Sequence, residues 1–163
     1  MQKQRRIRLE ETYKRLALSD LKSLKNRELL LSGLCLYWGE GSKTRREVSI
    51  CNSDPKLINF LIHWLNNCYG INKNRLSATL GINEIHKKRE DIVKLYWSNL
   101  INIPLSQFRK TSFKKVKLHK VYENFNEHYG TLRIKVLKPG ELCYKIMAQI
   151  NALSEIGQRS SVG

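Results

Sequence analysis

Hydrophobic residues recur at helical spacing in four parts of the chain. Residues 26–39 predict an apolar helix that Asn26 caps, and a second amphipathic helix is expected to begin at Pro55. A last helix is predicted over residues 142–153. In a third helix, over residues 88–101, the expected core-facing stripe is Ile92, Val93, Tyr96, Trp97 and Leu100.

Four other segments show apolar and polar residues on opposite faces at a period of two, strictly over residues 75–83 and in part elsewhere, which predicts strands over residues 43–51, 75–83, 113–121 and 131–137. Together with the helices they predict one α+β domain, in which an antiparallel sheet has its helices on one face. The domain is expected over residues 26–156. Residues 1–25 are expected to form a basic N-terminal helix or arm, and residues 157–163 a tail.

The charge of the chain favours a polyanionic partner. Thirty Lys and Arg residues against fourteen Asp and Glu residues give a net charge of +16 over 163 residues. Nucleic acid is the leading expectation, because no long basic amphipathic helix points to an anionic membrane surface instead. A merely soluble basic protein is the alternative that charge alone leaves open.

Cysteine usage and hydropathy indicate the compartment. The four cysteines form no Cys-x-x-Cys pair and sit among apolar neighbours, which predicts buried free thiols rather than a zinc site. The start of the chain lacks an apolar segment, and no apolar run is long enough to span a membrane. A reducing, cytoplasmic setting is therefore expected.

The cations are expected to form a nucleic-acid surface on the sheet. No acid occurs between Asp91 and Glu123, so the Lys and Arg residues of this run have no counter-charge nearby in sequence. Phe108 and Phe113 lie in the run and are expected to pack in the core rather than to stack on bases. The candidate nucleic-acid contacts are Lys43, Arg45, Arg46, Arg75, Arg109, Lys110, Lys114, Lys115, Lys117, Arg133 and Lys135.

Small residues form one face of the apolar helix at 26–39. Ser32, Cys35 and Gly39 stand at helical spacing, and such a face allows a second helix to approach closely. The chain contains one such segment, so the expected partner is a second copy related by a two-fold axis. Leu30, Leu34, Leu36 and Tyr37 are expected to fill the core.

Glu40 ends this helix, where the dipole disfavours an acid, which points to another role. The plain alternative is a C-terminal residue beside a glycine cap. In a two-fold dimer, two copies of Glu40 would lie close together and form a Mg²⁺ site for phosphodiester hydrolysis. A Lys at position 43, 110 or 115 is the candidate supporting cation, with Lys110 as the catalytic choice.

The stretch GLCLYWGEG resembles the signature of the LAGLIDADG homing endonucleases, and Gly39, Glu40 and Gly41 match its last three positions. Cys35 replaces an inner glycine of that signature, and Trp38 replaces a position that is often acidic. The order of elements over residues 27–110 is also similar. The resemblance implies a mixed αβ saddle, a homodimer, Glu40 as the metal ligand and sheet residues in the major groove of duplex DNA.

Three functions fit this resemblance. The first is a homodimeric Mg²⁺-dependent endonuclease that cuts duplex DNA at a partly palindromic site. The second is a non-cleaving transcription regulator on the same scaffold, and the third is an RNA-binding maturase.

Overall fold

The computed structural model describes residues 2–44, 46–115 and 125–159. Two predictions for single residues, Arg45 and Lys117, fall outside them, as does the predicted strand beyond residue 115. The helices are α1 (Gln2–Asp20), α2 (Asn26–Glu40), α3 (Pro55–Tyr69), α4 (Glu90–Ile101) and α5 (Leu142–Arg159), and the strands are β1 (Ser49–Asn52), β2 (Leu76–Asn83), β3 (Ser112–Lys114) and β4 (Thr131–Val136).

The strands form one four-stranded sheet in the order β1-β4-β2-β3. β4 pairs antiparallel with both β1 and β2, whereas β2 and β3 are parallel. The prediction of a wholly antiparallel sheet was therefore wrong, and the sheet is mixed. The reason is α4, which lies between β2 and β3 in the chain and acts as the crossover that parallel neighbours require.

The core lies between one face of the sheet and the helices. Alternate residues of the strands face it, and the buried aromatic residues Tyr37, Trp64 and Trp97 come from α2, α3 and α4. Of the residues expected to fill the core from α2, Leu34 and Tyr37 are buried, and Leu30 and Leu36 pack against the core from its margin. The α+β class is thus confirmed, and α2, α3 and α4 bury side chains in this one core.

The ends of α2 differ from the prediction. The helix begins at Asn26, and its first turn is closed by Glu28, whose carboxylate accepts a hydrogen bond from the backbone N–H of Lys25 at 2.7 Å. At the other end Gly41 is extended, with φ −77°, so it is not a left-handed cap. A Cβ at Gly41 would lie 2.6 Å from the Tyr37 ring, so close approach is what requires glycine there.

α4 is rotated relative to the predicted stripe. Val93, Trp97 and Ile101 are buried, whereas Ile92 is 61% exposed and Leu100 42% exposed, so those two assignments were wrong. The Trp97 indole N–H donates to the carbonyl oxygen of Tyr129 at 2.8 Å, which fixes the face that α4 turns to the core.

Two of the four cysteines also differ from expectation. All four are free thiols, but Cys35 and Cys51 are exposed, Cys68 is half-buried and Cys143 is buried. Cys35 lies on the outer side of α2, and Cys51 lies on the sheet face opposite the helices, which explains their exposure. No helix in the described part of the chain is long and apolar enough to cross a membrane.

α1 stands apart from the core. It contains no buried residue, although it includes apolar side chains such as Leu9, Tyr13 and Leu16, all of which are exposed. It agrees with the helical form expected for the basic N-terminal segment. α5 continues to Arg159, three residues into the segment expected as a tail, and residues 160–163 lie outside the description.

Candidate nucleic-acid interface

The sheet has an open face, defined here as the face opposite the helices. Strand register arranges its side chains in rows across the strands. One row holds Ser49, Lys135 and Ser77, and the next holds Cys51, Arg133 and Thr79. Further rows pair Thr131 with Gly81, Gly81 with Ser112, and Asn83 with Lys114. The face is therefore built of small, mostly polar side chains with two cations on its interior strand β4.

Lys135 is held by an acid on the same face. Its ammonium lies 3.0 Å from Oε2 of Glu47, and the Ser49 hydroxyl donates to Oε1 of the same carboxylate at 2.6 Å. These two hydrogen bonds hold the pKa of Glu47 below its usual range. Half of the positive charge on β4 is thus balanced within the protein.

Arg133 is not bonded to this acid, although its charge also helps to lower the pKa of Glu47. The Arg133 side chain is exposed and makes no hydrogen bond or ion pair with any described residue. It lies in a shallow groove on the open face, together with Cys51, Thr79 and Thr131. In this groove an exposed cation of an interior strand is accessible to a ligand.

Four predicted cations lie along the β3 edge of the sheet. Arg109, Lys110, Lys114 and Lys115 are all exposed. The backbone N–H of Arg109 donates to the carbonyl of Ala78 at 2.7 Å, which ties this segment to β2. Phe108 and Phe113 are half-buried against the core, as expected, so neither ring is free to stack on a base.

Sequence reasoning missed Lys87 and Lys88. They lie in a 3-10 helix over Glu84–Arg89, and the ammonium of Lys87 is 5.9 Å from the centre of the Phe113 ring. Lys87 therefore extends the cationic edge beside β3. The signal was present in the run His86-Lys87-Lys88-Arg89, but the second half of the run was assigned to the helix predicted over residues 88–101.

Three other predicted contacts are placed differently. The Lys43 ammonium donates to the carbonyl of Gly41 at 2.8 Å, so it caps the C-terminus of α2. Arg75 donates to the carbonyls of Leu137 and Lys138 at 3.3 Å and 2.8 Å, which ties β2 to the connection after β4. Arg46 is exposed in the loop before β1, with φ +77°.

Glu40 lies at the β1 edge of the sheet. The next residue, Gly41, bridges to Ile50 of β1, and Oε2 of Glu40 accepts a hydrogen bond from the Asn52 amide at 3.3 Å. Asn52 shares the helix-side face with Ile50, so the carboxylate meets the sheet from that side. Asn52 was not predicted, and it orients the acid because its own Oδ1 accepts from the Asp54 backbone at 2.8 Å.

Glu40 and Lys110 are not brought together within one chain. Glu40 is beside β1, whereas Lys110 follows the segment bridged to β2 near β3, at the other edge of the sheet. Three strand spacings between these edges correspond to roughly 14 Å. Within the residues that the structure describes, no cluster of three or more His, Cys, Asp or Glu side chains is arranged to hold a metal ion.

The predicted small-residue face of α2 is exposed. Ser32, Cys35 and Gly39 all face outward, and a Cβ added at Gly39 would meet no atom within 4 Å. By helical spacing the same side carries Leu31 and Trp38, which are 38% and 45% exposed. The glycine that makes a tight contact is instead Gly33, where a Cβ would lie 2.1 Å from the Trp64 ring.

Comparison of the chain with protein-family models, with curated proteins and with solved structures found no match in any of the three. Two features of the described residues bear on function. They are the open face of the sheet with its cationic edge, and the outer side of α2 with Glu40 at its end.

Proposed function

We propose that the protein binds duplex DNA through the open face of its sheet and acts as a homodimer on a LAGLIDADG-like saddle. The observation that carries this proposal is the sheet itself. One face packs on the helices, while the other carries small, mostly polar residues, of which Ser49 and Ser77 are buried, together with exposed Arg133; exposed cations that pair with no acid among the described residues line the β3 edge. A strand-based surface of this kind fits the major groove, and its charge suits the phosphates on either side.

The dimer is proposed to form through the outer side of α2. The small-residue face would allow two copies of the helix to approach closely, and Leu31 and Trp38 would supply apolar area at its margin. A two-fold axis at this face would place the two Cys35 thiols close to each other.

Oxidative crosslinking tests this dimer directly. Mild oxidation of the purified protein is expected to give a disulfide-linked dimer that disappears in Cys35→Ser and persists in Cys51→Ser. Cys51 is the matched control because it is equally free and exposed but lies on the open face. A monomer in sedimentation, or crosslinking through Cys51 instead, would contradict the α2 dimer.

Glu40 is proposed as the Mg²⁺ ligand of a DNA endonuclease. Its exposed carboxylate offers oxygen chemistry that suits a hard cation, and Asn52 leaves its Oε1 without a described partner. In the dimer a second Glu40 would complete the ligand set. Mg²⁺ held there would supply a Lewis acid for phosphodiester hydrolysis, while Asn52 keeps the carboxylate in place.

Plasmid nicking in Mg²⁺ is the corresponding experiment. Wild-type protein is expected to nick or cut DNA, and Glu40→Gln is expected to lose at least about a hundredfold in rate while still binding. Glu28→Gln is the control, because Glu28 belongs to the same helix but closes its first turn. DNA binding with no cutting in Mg²⁺ or Mn²⁺ would refute cleavage and favour the regulator, and preferential retention of structured RNA would favour the maturase.

A further inference from the structure

We propose that Arg133 reads the edge of a guanine in the major groove and so sets the sequence preference of the protein. Lys135, two residues further along the same strand, adds affinity without selectivity. This inference rests on the proposed binding of duplex DNA, and it assigns different tasks to two cations that look equivalent in the sequence TLRIKV.

Position in the sheet distinguishes Arg133 from the other cations. β2 and β4 are the interior strands, and Arg133 and Lys135 are the only Lys or Arg residues in them. Four of the other predicted cations, Arg109, Lys110, Lys114 and Lys115, lie at the β3 edge instead. When a sheet lies in a groove, its interior strands face the base edges and its margins face the phosphates.

The neighbours of Arg133 leave its side chain standing above the surface. In its row across the sheet it is flanked by Cys51 and Thr79, both much shorter side chains. Its guanidinium makes no hydrogen bond or ion pair with any described residue, although its charge acts on the Glu47 carboxylate without direct contact. The planar donor fork is therefore free to meet the O6 and N7 acceptors of guanine together, which is the pairing that its geometry suits best.

Lys135 shares the interior strand with Arg133 but has no free donor fork. Its ammonium is paired with Glu47 at 3.0 Å, and that carboxylate is fixed a second time by Ser49. A lysine is a point charge rather than a fork, and here the charge is already balanced. Any contact it makes with DNA is expected to be a general electrostatic one.

Selection from a random duplex library, with full-length wild-type protein and its variants, tests the assignment. Wild-type protein is expected to enrich a guanine at one fixed position. Arg133→Ala and Arg133→Lys are expected to lose that enrichment and to bind the selected site roughly ten- to a hundredfold more weakly, with little change on unrelated DNA. Lys135→Gln is expected to weaken binding to all sequences alike and to keep the guanine preference. Thermal unfolding of each variant verifies that the sheet is intact.

Three outcomes would overturn the inference. Unchanged guanine enrichment in Arg133→Lys would remove Arg133 from readout. An equal loss on selected and unrelated DNA would make it a phosphate contact. No fixed guanine in the wild-type selection, although the protein binds DNA, would show that the open face does not read sequence through it. If wild-type protein binds no duplex DNA at all, the proposed function fails together with this inference. Binding without a fixed guanine overturns only the role of Arg133.

Discussion

Two glycines of α2, Gly33 and Gly39, differ in their surroundings, although both lie in the stretch that resembles a helix-pairing signature. Gly33 faces α3, and the Trp64 ring fills the space where its side chain would be. Gly39 faces away from the core and has open space around it. Burial of the indole thus depends on the first glycine and not on the second.

Replacing each glycine with alanine separates these roles. Gly33→Ala is expected to destabilise the fold by about 3 kcal/mol, because the new methyl group overlaps a buried ring. Gly39→Ala is expected to leave the monomer as stable or to stabilise it by up to about 1 kcal/mol, through helix propensity. Urea unfolding of both variants measures this.

Sedimentation of the same two variants bears on the dimer. If α2 pairs with a second copy, Gly39→Ala should weaken the dimer while the monomer remains folded.

In the unfolding experiment, a Gly33→Ala variant as stable as wild type would contradict the packing described for Trp64.

Glu47 illustrates how a distant residue changes the meaning of a local pattern. The alternation in TLRIKV correctly predicts that Arg133 and Lys135 share a face. It contains no information about Glu47, which lies 88 residues earlier and neutralises one of the two. Long-range pairing of this kind is decided by strand order, which no single segment encodes.

At the level of elements, the 3-10 helix over Glu84–Arg89 is hydrogen-bonded to residues 125–128, which precede β4. Arg89 donates to the carbonyls of Phe125 at 2.9 Å and His128 at 3.2 Å, and also to the carbonyl of Asn126. It donates as well to Nδ1 of His86 at 3.1 Å. Because arginine only donates, that nitrogen must be unprotonated, so the contact requires neutral His86.

His86 should therefore make stability depend on pH. Burial first, and then His128 and Arg89, lower its pKa below the ordinary 6.5, so the folded state favours the neutral ring. The resulting stabilisation is complete above about pH 6.5 and is lost as pH falls from that value through the lower folded pKa. Wild-type protein should accordingly exceed His86→Gln in melting temperature at pH 7.5 by more than at pH 5.

Melting curves across this range provide the measurement. His63→Gln is the matched control, because His63 is exposed on α3 and bonds only to Asn67 of its own helix. A gap between wild type and His86→Gln that stays constant with pH would show that the ring is not held neutral.

The elements also show what periodicity could and could not predict. The start of α3 at Pro55 was identifiable because a proline start signal precedes an amphipathic segment, and β4 was identifiable because its two faces differ in polarity. The orientation of α4 could not be predicted in this way, because Ile92, Leu95 and Leu100 are apolar although they lie on faces that remain exposed. The direction of β3 was equally hidden, because an alternating segment looks the same whether its neighbour runs parallel or antiparallel.

The candidate site was only partly predictable. Exposure of Arg133 and of the β3-edge cations follows from the alternation and from the acid-free run. Sequence could not predict that Lys43 caps α2 or that Arg75 bonds to the connection after β4. Both interactions depend on carbonyl groups that the fold brings near. Asn52 beside Glu40 depends in the same way on the bridge between Gly41 and β1.

For the whole molecule, the cationic edge beside β3 is expected to set the salt dependence of the proposed DNA binding. Four exposed cations, Arg109, Lys110, Lys114 and Lys115, would give a slope of about −4 in log K against log salt for each chain if all meet phosphates. Lys114→Gln with Lys115→Gln should reduce the slope by about 2. Fluorescence anisotropy titrations at several KCl concentrations from about 50 to about 200 mM measure this slope.

The matched control is Lys145→Gln on α5. Its ammonium lies 5.6 Å from the centre of the Tyr69 ring, on the helix side of the sheet. This variant should leave the slope unchanged. If it lowers the slope as much as the double variant does, the cationic edge beside β3 is not the DNA-binding surface.

Strand order also determines at what point during synthesis the sheet can be completed. β4, the last strand in the chain, is inserted between β1 and β2, which do not touch without it. A nascent chain that ends before Thr131 therefore lacks both the middle of the sheet and Arg133. Translation must therefore proceed past β4 before the proposed DNA-binding face is complete, and a product that terminates earlier is expected to lack the contact assigned to Arg133.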